Sequence, residues 1–341
     1  MSTGQQHPHG PSSGFFECDV RGLHRHWQFS IQVSEDNVGI LFQAPINDFE
    51  LNELYIWNWR VGTLTKCIKA TSSTYLQSFA FLTSSCVLLS AIRGGTGELH
   101  LHDFTDPGDT VNCISPARCT FCYPSFSSYI CCALTIRVDP SPSWVPDNLS
   151  KAPFHSTPDS RIVAIGVGLF NHTRNDMVSW IHIVPLSVFT SVSHLKQVTM
   201  EWGDWGRRNT CFLDTQFSQA WPCYVSGTRF ISIARQGEDD DTGDDEHEVD
   251  WEVSVYDFNP LALRRAIRDG LLEDIVSDTV VSIDSPIGLT AYLTALRYKM
   301  KTISLPSRLA RPDLEVMISE DSLILVDGHS ESDPTFTILT F

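Results

Sequence analysis

No apolar run in this sequence reaches the roughly 18 to 20 residues that a membrane helix needs; the longest, such as residues 162–170, is strand-sized. A helical membrane protein is therefore excluded. Also missing are H-E-x-x-H, a P-loop G-K-[ST] and G-x-G-x-x-G, so zinc peptidase, nucleotide-hydrolysing and dinucleotide-binding chemistries lack their signatures. The amino terminus, MSTGQQHPHGPSSG, has no apolar core of a secretory signal. The expected location is the cytosol or nucleus, where the ten Cys stay thiols. The sequons Asn148-Leu-Ser150 and Asn171-His-Thr173 then carry no weight.

Charge is scarce too, at 19% of residues, and cations are scarcer than anions, 24 against 41. The net charge of -17 is concentrated in residues 237–250 (GEDDDTGDDEHEVD), which hold nine carboxylates and no Lys or Arg; taking those nine from -17 leaves -8. Nucleic-acid binding needs clustered Lys and Arg, so it is disfavoured. The acidic stretch reads as a long solvated hairpin loop that could attract a basic partner.

What the chain does have is strand-forming composition. Hydrophobic residues make up 42% and aromatics 11%, and Val, Ile, Thr, Phe and Trp favour many short strands over long helices. One phrase recurs, apolar-x-apolar-aromatic/His-Asn/Asp-aromatic: Leu54-Tyr-Ile-Trp-Asn-Trp59, Leu99-His-Leu-His-Asp-Phe104 and Val253-Ser-Val-Tyr-Asp-Phe258. Alternation places one face of each strand in a core, and the Asn or Asp folds back on the backbone to start a turn. Another apolar segment precedes each copy, at 38–42, 86–92 and 229–234. A fainter pair, 161–167 with 180–184, and a last one, 322–326 with 336–341, bring the units to five.

Hairpin-linked strands recurring with insertions predict an all-β, β-propeller-like (WD-repeat-like) array of about five or more four-stranded blades with short helical insertions. The interval is about 45 residues between the first two copies and about 75 or more later, against roughly 40 to 50 in simple propeller repeats, so insertions fill the excess. One is a helix over 258–270, with Asn259 as N-cap, Pro260 at the first position and Gly270 at the end. Pro185-Leu-Ser-Val188 echoes it. Residues 1–14 read as a disordered tail and 15–341 as one domain. A strand at 15–20 is expected to complete the last blade and close the ring, hiding both sheet edges.

Candidate chemistry is thin. Gly10-Pro-Ser12-Ser-Gly14 matches a nucleophile elbow in letters but lies in the tail, away from the strand-to-helix turn that motif requires. Cys119-Thr-Phe-Cys122, with Cys113, Cys131 and Cys132, has zinc spacing on one side only, because adjacent Cys131 and Cys132 would point to opposite faces of a strand. His100 and His102 share a strand face, yet His102 occupies the slot of Trp57 and Tyr256 in the other copies and reads as packing. Asp239, Asp241 and Asp244 depart from the EF-hand order at Gly243. Asp19, Asp139 and Asp214 sit near strand ends, where a propeller glycosidase would keep its two carboxylates. Neither a catalytic set, nor a metal, nor a cofactor is expected.

Glu201-Trp-Gly-Asp-Trp-Gly-Arg-Arg208 reads as a loop rich in hot-spot side chains. Trp202, Trp205, Arg207 and Arg208, with Arg264, Arg265 and Arg268 of the expected helix, are the candidate partner-binding residues. The alternative for the two Trp is that they plug the space between blades.

Several phrases together resemble the carboxy-terminal region of F-box proteins from mushroom-forming fungi: Glu53-Leu-Tyr-Ile-Trp-Asn-Trp59, Ile136-Arg-Val-Asp-Pro-Ser-Pro142, Pro153-Phe-His155 with 159–163, Glu201-Trp-Gly-Asp-Trp-Gly206 and Tyr256-Asp-Phe-Asn-Pro260. The likeness runs from about residue 30 to the end. It implies a propeller-like substrate receptor of a ubiquitin ligase. No Leu-Pro-rich, three-helix F-box segment precedes the first strand, so ligase attachment is not expected to reside in this sequence. The expected function is thus a monomeric, non-enzymatic module that binds protein partners, among them a ubiquitin-ligase substrate. The alternatives are a five-bladed propeller glycoside hydrolase and a truncated family copy without a ligase role.

Overall fold

The computed structural model describes residues 28–44, 52–71, 73–105, 116–126, 128–141, 157–213, 224–236, 250–271, 275–276, 279–285, 288–305, 314–319, 322–327 and 335–340. The protein is all-β. The first sheet runs in chain order through β1 (Gln28–Ser34), β2 (Asn37–Gln43), β3 (Glu53–Asn58) and β4 (Thr63–Lys69). The second holds β5 (Thr74–Phe81), β6 (Cys86–Arg93), β7 (Thr96–Asp103) and β8 (Cys119–Cys122). The third is built from β9 (Ile130–Arg137), β10 (Ile162–Asn171) and β11 (Asp176–Pro185).

An excursion follows through helix α1 (Leu186–Thr190), strand β12 (Val198–Met200) and helix α2 (Trp202–Asn209) before β13 (Cys211–Leu213) completes that sheet. During it β12 adds to the outer edge of the second sheet, parallel to β8. The fourth sheet holds β14 (Val225–Ser226), β15 (Arg229–Gln236) and β16 (Asp250–Asp257). After helix α3 (Pro260–Arg268) come β17 (Ile275–Val276), the separate ribbon β18 (Thr279–Ser285) with β19 (Gly288–Thr294), and β20 (Tyr298–Ser304), which pairs with β16 and β17. The last sheet is β21 (Leu314–Ile318), β22 (Ser322–Asp327) and β23 (Thr335–Thr340).

The recurring phrase has a structural meaning. Its three copies fall on β3, β7 and β16, each the third strand of an antiparallel meander, and the preceding apolar segments are the second strands. The Asn or Asp acts as expected in all three: Asn58 Oδ1 accepts from the Arg60 amide at 3.1 Å, Asp103 Oδ1 from Thr105 at 2.8 Å and Asp257 Oδ1 from Asn259 at 2.9 Å. Each side chain imitates a backbone carbonyl and starts the turn that ends its strand. The fainter units fit the same scheme as β10 with β11 and β22 with β23.

Consecutive sheets stack face to face. Leu41, Leu54, Phe79, Phe81 and Leu89 form the core between the first and second. Leu88, Phe121, Leu134, Val163 and Ile165 do the same for the second and third. Ile181, Ile231, Val253, Val316 and Leu325 belong to one core running on through the last. A sheet covered on both faces needs apolar residues at successive positions, which explains the unbroken burial of Cys86–Ala91 in β6. Each such side chain contributes about 1.5–3 kcal/mol against the entropy of ordering the chain.

The two end sheets differ. Phe29, Ile31 and Val33 of β1 and Phe336 and Ile338 of β23 are exposed, and no sheet covers those faces among the described residues. The expected closing strand at 15–20 lies outside the described residues, as do the tail 1–14 and acidic residues 237–249. β15 and β16 pair up to Gln236 opposite Asp250, so the acidic segment connects two adjacent strands.

One rim of the stack can be fixed by its hydrogen bonds. The Ile162 amide donates to the Gly227 carbonyl at 2.9 Å, and the Gly227 amide donates to Asp139 O at 2.8 Å. Ile162 pairs with Pro185 at the end of β11, and Arg229 pairs with Asp257 at the end of β16. The third strands of adjacent sheets therefore end on the same side, and α1 and α3 both leave from there.

Candidate interaction surface

Helix α3 forms as its sequence predicts. Asn259 Oδ1 accepts from the amides of Leu261 at 2.9 Å and Ala262 at 3.3 Å, Pro260 occupies the first turn, and Gly270 takes φ +76° just past the end. Leu263 and Ala266 are buried, whereas Leu261, Arg264, Arg265 and Arg268 face solvent. Exposed residues at i, i+3, i+4 and i+7 are one side of a helix. Leu261 is 69% exposed, Ile267 43% and Leu271 beyond the helix 54%.

Helix α2 corrects the expectation of a loop over 201–208. Two glycines lower helix propensity there, but tertiary packing overrides it. Trp205 is 1% exposed, packs edge-on to Phe121 and Tyr123, and donates its indole N–H to the Cys122 carbonyl at 3.1 Å. Trp202, half-buried, lies over His182 and Tyr123 with ring centroids 5.4 and 5.9 Å away. Gly206 sits directly beneath it, where an added Cβ would come within 2.2 Å of the Trp202 ring. The helix is set into the core by its aromatic face and turns Arg207 and Arg208, both exposed, outward in its last turn, where their charge also suits the helix dipole.

Under α2, His182 is fully buried among Tyr123, Trp202, Trp205 and Phe212. Its Nδ1 lies 2.8 Å from the Tyr123 hydroxyl, and Nε2 has no partner among the described residues. Burial pushes the imidazole down to about 3, so it is neutral at ordinary pH. The same burial pushes the Tyr123 hydroxyl well above its usual range. This is a packing core with one hydrogen bond, closed to solvent.

The end of α2 is linked to the start of α3 through the segment that enters β20. α2 leads through Thr210 into β13, whose Cys211 pairs with Ile183 near the end of β11. The Leu296 amide donates to the Thr210 carbonyl at 3.0 Å, placing Arg297 beside the end of α2. Two residues on, Lys299 pairs with Asp257, which precedes α3 by three positions. Arg297 is exposed and was invisible to sequence reasoning, because it belongs to no motif and arrives there only through the pairing of β20 with β16.

Pairing distinguishes these arginines from most others. Arg93 lies 3.6 Å from Glu98, Arg118 2.7 Å from Asp103 and Arg229 3.5 Å from Asp257, while Arg60 pairs with Asp36. On α3, Arg268 pairs with the neighbouring Asp269 at 3.0 Å. Among the described residues no ion pair holds Arg207, Arg208, Arg264, Arg265 or Arg297.

Elsewhere the candidate chemistry is self-satisfied. A cavity of about 300 Å³ between the first two sheets is lined by Lys69, Arg93, His100, His102 and several threonines. Lys69 pairs with Glu53 at 2.9 Å and His100 with Glu98 at 2.7 Å. Burial alone would raise the Glu98 carboxyl, but His100 and Arg93 outweigh it and hold it below its ordinary value. Burial pushes the Cys119 thiol up to about 11 and Cys131 up to about 12, far from thiolate character. Among the described residues no group of three or more His, Cys, Asp and Glu is placed to hold a metal. Cys113, Asp239, Asp241 and Asp244 lie outside the described residues.

Asp139 sits on the rim, its carboxyl raised by burial and drawn back by Arg161; Asp19 and Asp214 lie outside the described residues. No described helix is long and apolar enough to cross a membrane. The chain matches no protein-family model and no curated protein.

Proposed function

We propose that the chain is a non-enzymatic protein-binding module with a β-propeller-like arrangement of its sheets. The observation that carries this reading is α3, a capped helix that presents Leu261, Ile267 and arginines to solvent at the end of its sheet. Exposed aliphatic and guanidinium groups on a fixed scaffold are the chemistry of interface cores and hot spots. The specific role we propose is recruitment of a substrate to a ubiquitin ligase, which the resemblance of residues 53–59, 136–142, 201–206 and 256–260 to fungal F-box proteins supports. The propeller glycosidase is the reading from another class, and the raised Asp139 carboxyl is what favours it.

The test is affinity purification from the native cell of the wild type and of a Leu261→Asp, Ile267→Asp variant. Both positions are exposed, so the variant keeps the fold. The expected result is a reproducible partner that the variant loses. Recovery of no reproducible partner, or glycoside turnover that vanishes in Asp139→Asn, overturns the reading.

A further inference from the structure

We infer that the corner formed by Arg207 and Arg208 of α2, Arg264 and Arg265 of α3, and Arg297 is a receptor for a carboxylate-rich segment of a protein partner. The inference rests on the protein-binding reading and names the chemistry of the partner.

Three observations carry it. The first is charge against composition: a chain with a net charge of -17 and 24 Lys and Arg carries five exposed arginines on the last turn of α2, on α3 and on the segment entering β20 that links the two. The second is pairing. Like charges repel and free guanidiniums gain from any carboxylate within reach, so arginines are usually answered locally. Arg60, Arg93, Arg118 and Arg229 are. No ion pair answers the five at the corner among the described residues, although Asp204 is on the same helix as two of them.

The third is rigidity. α2 is held by Trp205 and its bond to Cys122, α3 by the Asn259 cap, and Arg297 by the backbone bond from Leu296 to Thr210. The guanidiniums project from fixed backbone, which lowers the entropic cost of binding an extended acidic segment. Arg offers planar, bidentate recognition of carboxylates, and five of them suit a run of Asp and Glu better than a single acid. Exposed Leu261 adds an apolar contact at the same place. The field of the acidic chain repels a nucleic acid and an acidic peptide alike; exposed Leu261 is what favours the peptide, whose Leu side chains can meet it.

The test uses the full chain and a fluorescein-labelled peptide of sequence Glu-Asp-Leu-Glu-Asp-Glu-Leu-Asp-Glu, followed by anisotropy. A second peptide carries Gln and Asn for Glu and Asp, and a single-stranded oligonucleotide serves as a competing anion. The variants are Arg264→Glu with Arg265→Glu, Arg207→Glu with Arg208→Glu, and Arg297→Glu. Arg174→Glu is the control, an exposed arginine in the β10–β11 turn at the opposite rim.

The acidic peptide should bind in a salt-sensitive manner. Each double reversal should weaken it by about tenfold or more, the equivalent of losing at least one charge-assisted hydrogen bond. Arg174→Glu should stay within about twofold, and the amide peptide should not bind. Unchanged affinity in the corner variants, an equal loss in Arg174→Glu, or tighter binding of the oligonucleotide would overturn the inference. A cellular partner lost with Leu261→Asp, Ile267→Asp yet retained by all the arginine variants leaves the protein-binding reading standing and removes this one. Peptide binding that behaves as expected, with no cellular partner, does the reverse.

Discussion

Helices α2 and α3 are the two longest helices described, and they are attached in opposite ways. α2 is inserted by aromatic rings: Trp205 is buried against Phe121, Tyr123 and Phe189, and Trp202 closes over His182. α3 is laid on by two small contacts, Leu263 and Ala266, and by its Asn259 cap. Burial and exposure are divided between the two helices. α2 holds the second and third sheets together by its aromatic face and exposes Gly203, Asp204 and its last turn, whereas α3 costs the core little and shows a full face.

The largest effect should come from removing the anchor of α2. Trp205→Ala leaves a cavity and an orphaned Cys122 carbonyl, and should cost about 3–5 kcal/mol in urea unfolding. An equal loss from Leu263→Ala in α3 would erase the contrast. Acid is the next lever. His182 stays neutral in the folded chain down to about 3 but takes a proton in the unfolded chain below its ordinary value of 6.5. Stability is therefore fully present above that ordinary value and falls as pH drops from there toward 3, with no further loss from this group below. Paired His182→Phe and Tyr123→Phe should flatten that limb of the stability–pH curve relative to the wild type.

Smaller effects sharpen the same comparison. Gly206→Ala drives a methyl into the Trp202 ring and should cost about 1–3 kcal/mol in thermal or urea unfolding, and much less when the same substitution is made in a Trp202→Ala background. Asn259→Ala removes the cap of α3 at about 1 kcal/mol, visible as faster amide exchange over 260–264. Least of all, Arg264→Glu with Arg265→Glu should leave the unfolding midpoint within the span of about 0.5 kcal/mol, since both side chains face water and hold no partner among the described residues.

Much of the fold was legible because it is local. The phrase ending in Asn58, Asp103 and Asp257 encodes a strand and the turn that ends it within six residues, and each side chain makes the bond the pattern predicts. α3 was legible for the same reason, its cap, proline and terminal glycine all lying within the segment. α2 was not, because Gly203 and Gly206 read as loop and only the distant His182 and Tyr123 make a helix the lower state there. That context also puts Trp205, a candidate contact residue by composition, inside the core. Parallel β12 on β8 and the arrival of Arg297 beside α2 depend on pairings across 79 and 86 residues, as in Val198 with Cys119 and Leu296 with Thr210. No local pattern records those.

The end sheets offer the strongest rival surface, for their outward faces expose Phe29, Ile31 and Val33 at one end and Phe336 and Ile338 at the other. Amide hydrogen exchange on the chain bound to its co-purified partner separates the two surfaces directly, since each would protect different backbone. The proposed account predicts slowed exchange over 204–210, 260–268 and 295–298, with β1 and β23 unchanged. Protection confined to β1 and β23, with α3 exchanging as in the free chain, would contradict it.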